Sequence, residues 1–320
     1  MEKFVIEGGV PLTGTVAPAG NKNAALPILA ACVLTSEEVV VENVPRIEDV
    51  KAMLALLEGL GVRVEWRSEN EVALCAAAVT AESEIDRDLS ERIRASFLLA
   101  GPLLARFGKA TMPPPGGDVI GRRRLDPHLD AFRALGADVH VQRGRYRLEA
   151  PDGLHACDFF MDEPSVMATE NALMAAALTP GSTVIHNAAA EPHVQDLARL
   201  LMAMGARIEG IGSNLMIVHG QEELGGADYS IGPDYIEIGS FIALAACTGG
   251  ELRIKDSVPD ELRMTKLAFE RLGCQIEFEG NDVIVPPEQR LRIKSDAGDA
   301  ISKIEDGPWP AFPADLTSIA

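Results

Sequence analysis

Residues 113–128 read PPPGGDVIGRRRLDPH. Proline and glycine punctuate this stretch as a loop rather than a helix or strand. Inside it a single carboxylate, Asp118, is followed by three consecutive arginines, Arg122, Arg123 and Arg124. A loop with one acid and a block of guanidinium groups can deliver a proton while it holds an anion. The same composition, taken alone, also describes a solvated surface loop with scattered charges. The elements that would have to position the loop decide between these readings.

The net charge is -19, which disfavours nucleic acid or an anionic membrane as a partner. Arginines concentrated in one loop of so acidic a chain suggest a local anion site. Five cysteines (Cys32, Cys75, Cys157, Cys247 and Cys274) are scattered without CxxC spacing. This favours reduced thiols in a cytoplasmic protein over a disulfide frame or a zinc site. His128, His140, His155, His186, His193 and His219 share no ligand spacing and read as structural or surface residues. No signal peptide is visible, and no apolar run reaches membrane-spanning length.

A repeat organises the chain. LGVRV around Gly61 returns as LGADV around Gly136, MGARI around Gly205 and LGCQI around Gly273, at spacings of 75, 69 and 68 residues. A recurring period of about 70 residues means one supersecondary unit used several times. Each signature follows an amphipathic helix (residues 47–59, 126–134, 192–203 and 261–271), with its glycine where a left-handed residue ends a helix. Two short alternating strands come next. Upstream lie alanine-rich helices at 22–34, 165–178 and 236–247, with 89–106, interrupted at Gly101-Pro102, as the fourth counterpart. Helices apolar on nearly every face are buried, and each is followed by a strand. Four units are complete and a fifth begins, with residues 290–294 as its leading strand and 311–320 as the start of another buried helix. The sequence reading expects a chain truncated within that fifth unit.

These residues resemble the enolpyruvyl transferase family. The resemblance rests on GNKNAALPIL (20–29), RASF (94–97) with GPLLARFG (101–108), PGGDVIG (115–121) with DPH (126–128), and AFPAD (311–315). It implies two domains of inside-out α/β architecture, barrel-like, built from the repeated units with helices inside and sheets outside, and an active site in the cleft between them. Residues 22–229 would form the complete domain. Residues 1–21 with 230–320 would form a second, incomplete one, about 100 residues short of two further repeats.

The resemblance further implies transfer of the enolpyruvyl group of phosphoenolpyruvate to the 3-hydroxyl of UDP-N-acetylglucosamine with release of phosphate, the first committed step of peptidoglycan synthesis. No metal or organic cofactor is demanded. The chemistry needs an acid at the methylene carbon, a base for the hydroxyl, and cations for a phosphate and a carboxylate. Lys22, with Asn23 beside it, is implied on phosphoenolpyruvate. A lysine at a helix N-terminus opposes the macrodipole and is easier to explain with an anion next to it. Arg123 matches a second phosphoenolpyruvate ligand. Arg94 is implied to reach the bound ligands, and Arg124, Leu125, Asp126, Pro127 and Ser165 fall where the family meets its UDP-sugar. Arg94 seen alone is an exposed arginine paired with Glu91 or Ser90, and Ser165 a helix cap. Asp315 matches the base, and as a plain structural residue it reads as an N-cap.

Three departures from the family pattern stand out. Leu98 replaces a frequent tryptophan, Met167 a frequent glycine, and Asp118 the usual cysteine. A thiol is protonated at neutral pH and a carboxyl is mostly ionised, so Asp118 as the acid needs its pKa raised by desolvation or by substrate charge. An aspartate also lacks the thiol that fosfomycin alkylates. Two further readings remain: a chain that binds ligand without turnover, and a transferase of the shikimate-phosphate branch. That branch has a Lys-Ser pair where this chain has Lys22-Asn23.

Overall fold

A computed structural model describes residues 3–117, 124–142, 144–295, 297–298, 300 and 303–319. They fall into two compact units, a larger one of Gly20–Gly232 and a smaller one of Met1–Ala19 with Pro233–Ala320. The chain starts with β1 (Gly14–Val16), a strand of the smaller unit. The larger unit runs α1 (Lys22–Ala31), β2 (Glu38–Glu42), α2 (Glu48–Leu60), β3 (Arg63–Trp66), β4 (Val72–Cys75), α3 (Arg87–Ser90), α4 (Ala100–Phe107), β5 (Lys109–Met112), α5 (Asp126–Ala134), β6 (Asp138–Gln142), β7 (Arg145–Glu149), β8 (Asp158–Phe160), α6 (Val166–Ala177), β9 (Ser182–His186), α7 (Pro192–Ala203), β10 (Arg207–Glu209), β11 (Leu215–His219) and β12 (Ala227–Ser230). The smaller unit continues with α8 (Tyr235–Thr248), β13 (Leu252–Ile254), α9 (Arg263–Arg271), β14 (Glu277–Glu279), β15 (Asp282–Val285) and α10 (Ala314–Thr317). Short 3-10 turns occupy Cys32–Leu34, Arg94–Leu99 and Pro259–Leu262.

The repeat is real in three dimensions. All four signature glycines take positive φ, between 86° and 109°, a region L side chains rarely adopt. Each lets the chain leave an amphipathic helix and turn into a hairpin. The larger unit carries three sheets, ordered β12-β2-β4-β3, β5-β7-β6 and β10-β11-β9-β8. The smaller unit carries one, ordered β1-β13-β15-β14. Three leading strands pair in parallel: β12 with β2, β8 with β9, and β1 with β13. Among the described residues none of these sheets closes on itself, and the architecture is the inside-out α/β one that the resemblance implied.

The core of the larger unit is helical. Ala24, Ala25, Ala30 and Ala31 of α1 and Ala172, Ala175, Ala176 and Ala177 of α6 are wholly buried. Methyl side chains let the axes approach closely, and α1 packs on α2 and α7 while α6 packs on α4, α5 and α7. One close approach is at Gly101, inside the first turn of α4. The helix does not break at Gly101-Pro102, because proline is tolerated in a first turn; the discontinuity lies earlier, at Arg94–Leu99. A Cβ at Gly101 would lie 2.7 Å from both the carbonyl oxygen and Oδ1 of Asn171. Asn171 instead accepts the Gly101 N–H (2.8 Å), and donates to the Phe97 carbonyl (3.0 Å) and to Nδ1 of His128 (2.9 Å). His128, packed edge-on against Phe97, is pushed down to about 3 by burial and by the Arg94 charge, so its ring is neutral.

The smaller unit departs from expectation in three places. Helix α8 is apolar on nearly every face, yet Cys247 is exposed and Leu244 is 45 % exposed. The described residues there supply one sheet and the short α10 as cover, where the larger unit has three sheets. Residues 290–294 form no strand; no neighbouring strand pairs with them, and Lys294 N–H bonds the Arg271 carbonyl. The last helix is the single turn α10, anchored by Leu316, which is wholly buried against Gly239.

Two outcomes follow. Gly101→Ala forces the Asn171 contact apart and is expected to destabilise the larger unit by about 2–4 kcal/mol in urea unfolding; a change under about 0.5 kcal/mol would show that α4 and α6 can separate freely. Glu170 of α6 is 1 % exposed, its Oε1 has no hydrogen-bond partner, and burial with the nearby Glu191 charge holds its carboxyl well above the usual range. A raised folded value favours the protonated form. That contribution is complete below the unfolded carboxyl pKa and is lost as pH rises through the folded value. Glu170→Gln is therefore expected to raise Tm by ~3–6 °C at pH 8 and by less at pH 5. Equal shifts at both would contradict a protonated Glu170.

Candidate active site

The first turn of α1 is built by its cap. Asn21 is 2 % exposed, and its Oδ1 accepts the N–H of Asn23 (2.8 Å) and of Ala24 (3.2 Å). Asparagine before a helix is a favoured cap because its short acceptor reaches the orphan amides. Gly20 precedes it on the carbonyl of Asn43, where a Cβ would stand 1.8 Å from the oxygen. Lys22 is the first helical residue, and the anion its position calls for is Asp49 of α2, with Nζ 3.0 Å from Oδ2. Asp49 lies in the first turn of its own helix, where a carboxylate is favoured. Both side chains are more than two-fifths exposed, so the pair contributes about 0–1 kcal/mol and exchanges readily for another anion. Pro27 has no N–H, which leaves the Asn23 carbonyl without its intrahelical donor.

Asp118, Arg122 and Arg123 lie outside the described residues. The chain on either side of them converges on Arg94. On the near side Gly116 N–H bonds the Ser90 carbonyl (3.1 Å), and a Cβ there would sit 1.6 Å from the Glu91 oxygen. Gly117, at φ 93°, passes the Arg94 backbone so closely that a Cβ would meet its nitrogen at 3.1 Å. On the far side Arg94 Nη2 donates to the Arg124 carbonyl at 3.0 Å. Glu91, suggested by sequence as a partner of Arg94, is bonded by Arg87 (2.7 Å), and the Ser90 carbonyl is engaged by Gly116. Leu98 is 1 % exposed and belongs to the core.

Arg124 spans two segments. It donates to Asp162 at 2.9 Å and Asp126 at 3.3 Å, with Glu163 at 3.9 Å, and the Asp162 carboxylate foremost pushes the guanidinium pKa up. Asp126 opens α5, Pro127 is buried in its first turn, and Leu125 holds the cap position with its side chain half-buried. Ser165 stands at the cap of α6, three residues beyond Asp162. It holds the N-cap position that the structural reading expected, without a side-chain capping bond, and its carbonyl accepts from Thr169. Hydrogen bonds thus link Arg94 to Arg124 and Arg124 to Asp126 and Asp162 in the larger unit, with Pro127 buried beneath, and α1 packs against the turn that carries Arg94.

Asp315 belongs to the smaller unit. It is the second residue of α10 and is exposed. The N-cap is Pro313, in extended conformation, so Asp315 is not the capping residue the sequence suggested.

Sequence reading missed Asn21, Asp49 and the Gly116 contact. An asparagine just before a buried helix was the available signal for the first; the other two depend on long-range contacts. Ser182, His219 and Glu209 also line up, at 2.8 Å for each link. They are cross-strand neighbours on an exposed sheet face, where such polar ladders stabilise pairing. Among the described residues no cluster of His, Cys, Asp or Glu could hold a metal ion, and no helix is long and apolar enough to cross a membrane.

Comparison with known proteins identifies the family. Residues 6–319 match the EPSP synthase (3-phosphoshikimate 1-carboxyvinyltransferase) family. The UDP-N-acetylglucosamine 1-carboxyvinyltransferase of Bradyrhizobium diazoefficiens is 53 % identical over 318 residues, 99 % of this chain and 73 % of that protein. The protein of the same name from Treponema denticola is 50 % identical over 319 residues, 100 % of this chain and 74 % of that protein. Among solved structures, the enolpyruvyl transferase NikO from Streptomyces tendae superposes with a TM-score of 0.76 at 25 % identity, over 88 % of this chain and 67 % of that one. An EPSP synthase from Acinetobacter baumannii shares the fold, with a TM-score of 0.68 at 18 % identity over 87 % and 65 % of the two chains. A match sustained along the chain, with Lys22-Asn23 at a capped helix start and Arg94 gathering both ends of the arginine loop, places this protein: it belongs to the EPSP synthase family of enolpyruvyl transferases.

Proposed function

We propose that this chain transfers the enolpyruvyl group of phosphoenolpyruvate to the 3-hydroxyl of UDP-N-acetylglucosamine and releases phosphate, in the service of peptidoglycan synthesis. The observation that carries the reading is identity of 50–53 % along the chain with relatives that bear the name of that activity. An enol ether becomes electrophilic once its methylene carbon is protonated, and Asp118 is assigned that proton. The 3-hydroxyl attacks the resulting oxocarbenium-like carbon and gives its proton to Asp315. The tetrahedral ketal then loses a proton from the methyl group so formed, together with phosphate, which restores the double bond.

Lys22, Asn23 and Arg123 are assigned to phosphoenolpyruvate. The exposed Lys22–Asp49 pair supports this, since an incoming phosphate or carboxylate can take Asp49's place on the ammonium. Arg94 is assigned to the bound ligands, and Arg124, Leu125, Asp126, Pro127 and Ser165 to the UDP-sugar, supported by the hydrogen bonds that link Arg94, Arg124 and Asp126 and by the uncommitted Ser165 hydroxyl. Asp118 must be protonated to act, and the substrate's negative charge raises its pKa in the required direction.

The test uses the purified chain with phosphoenolpyruvate and UDP-N-acetylglucosamine and follows phosphate release. Asp118→Ala is expected to lower the rate by about 10²–10⁴-fold. Asp118→Cys is expected to retain activity and to gain a fosfomycin adduct by intact mass, while the unmodified chain gains none. A covalent adduct on the unmodified loop would refute the acid's assignment. Phosphate release with shikimate 3-phosphate in place of the UDP-sugar would move the chain to the other branch. Binding of the UDP-sugar without any phosphate release would favour a binding role alone.

A further inference from the structure

Asp196 lies in α7, far along the sequence from every residue assigned above, and it is only 8 % exposed. Its Oδ2 accepts the Gly232 N–H at 2.9 Å. Its Oδ1 accepts from the Tyr229 hydroxyl at 3.0 Å and from Arg199 at 3.1 Å. A Cβ on Gly232 would stand 2.9 Å from Oδ2, so glycine is what brings this backbone onto the carboxylate. The peptide that Asp196 holds is shared with Ile231, whose carbonyl accepts Asn43 Nδ2 at 2.9 Å. A charged acceptor on the N–H of a peptide strengthens the carbonyl of that same peptide as an acceptor. Gly232's own carbonyl accepts the Asn21 N–H at 2.9 Å.

Asp196 thus grips the 229–232 strap, and the strap grips the start of α1 twice. One hold runs through Asn43, on whose carbonyl Gly20 rests; the other goes directly to Asn21. Asn21 in turn fixes the amides of Asn23 and Ala24. We propose that Asp196 is a positioning residue for the phosphoenolpyruvate end of the site, acting through Gly232 and Asn21 on the first turn of α1. This rests on the assignment of Lys22 and Asn23 to that substrate. A buried carboxylate with several donors keeps its geometry far better than the exposed Lys22–Asp49 pair, so α1 begins at a fixed place whether or not an anion is bound.

The experiment compares the unmodified chain with Asp196→Ala, Asp196→Asn and Lys22→Ala. Amide hydrogen exchange reads the relay itself. Binding of phosphoenolpyruvate, with and without UDP-N-acetylglucosamine, and binding of the UDP-sugar alone read its consequence. Asp196→Ala is expected to speed exchange at Asn21, Asn23 and Ala24 by about tenfold or more and to weaken phosphoenolpyruvate by about five- to tenfold. Affinity for the UDP-sugar alone should change by less than about twofold, a split that general loss of structure would not produce. Asp196→Asn, with a single acceptor oxygen, should fall between, and it carries the comparison if the alanine variant does not fold. Unchanged exchange at Asn21 in a folded variant overturns the relay. Faster exchange with unchanged phosphoenolpyruvate binding, where Lys22→Ala does weaken it, overturns the positioning role. If Lys22→Ala leaves binding unchanged while exchange at Asn21 rises, the assignment of Lys22 fails and takes the functional half of the proposal with it.

Discussion

The close approach of small-residue helices around Asn171 is the constraint on which the larger unit depends. A helix lined by alanine offers little apolar area per residue, so its stability comes from how near its neighbours can lie. Gly101 permits that approach, and Asn171 makes it specific by satisfying Phe97, Gly101 and His128 at once. A buried amide with every bond made fixes one register, whereas an apolar contact of the same size would tolerate sliding. The turn that carries Arg94 and the helix that follows Asp126-Pro127 meet at this residue, so the core and the candidate site share one anchor.

In the larger unit the residues assigned to the substrates stand at helix starts: Lys22 and Asn23 at that of α1, Asp126 at that of α5 and Ser165 at that of α6. Helix starts present unpaired amides and a partial positive charge. That suits a reaction whose substrates carry phosphate, carboxylate and diphosphate, in a chain whose net charge is -19. Acidic residues are kept compatible with anions by pairing: Asp49 sits on Lys22, and Asp126 and Asp162 sit on Arg124.

The arginine loop is held differently. Its flanks are pinned by backbone contacts that only glycine allows, at Gly116 and Gly117, and by the Arg94 guanidinium on the Arg124 carbonyl. The near flank rests on the backbone of residues 90–94 and the far flank on the Arg94 guanidinium, so both are tied to one short turn. Arg94 can therefore serve the loop as well as a ligand, two roles that a local reading of one exposed arginine would not suggest.

Much of this was legible in the sequence because it is local. The signature glycine repeated four times, with positive φ after amphipathic helices, the alanine-rich buried helices and the residues at their starts all follow from periodicity and capping chemistry, which act within a few positions. The sequence reading failed where cover or pairing was needed from far away. Residues 290–294 have the alternation of a strand, but among the described residues no strand pairs with them. Helix α8 has the composition of a buried helix but leaves Leu244 and Cys247 open. Asp315 looks like a cap until Pro313 takes that place. The same limit hid Asp49 on Lys22, Asp196 on Gly232 and Asn171 among three helices. Those contacts join residues 27 to 74 positions apart. Composition and spacing determined which elements form and which residues they put at their ends; only tertiary packing could decide the partners, because hydrogen bonds and ion pairs depend on distance in space.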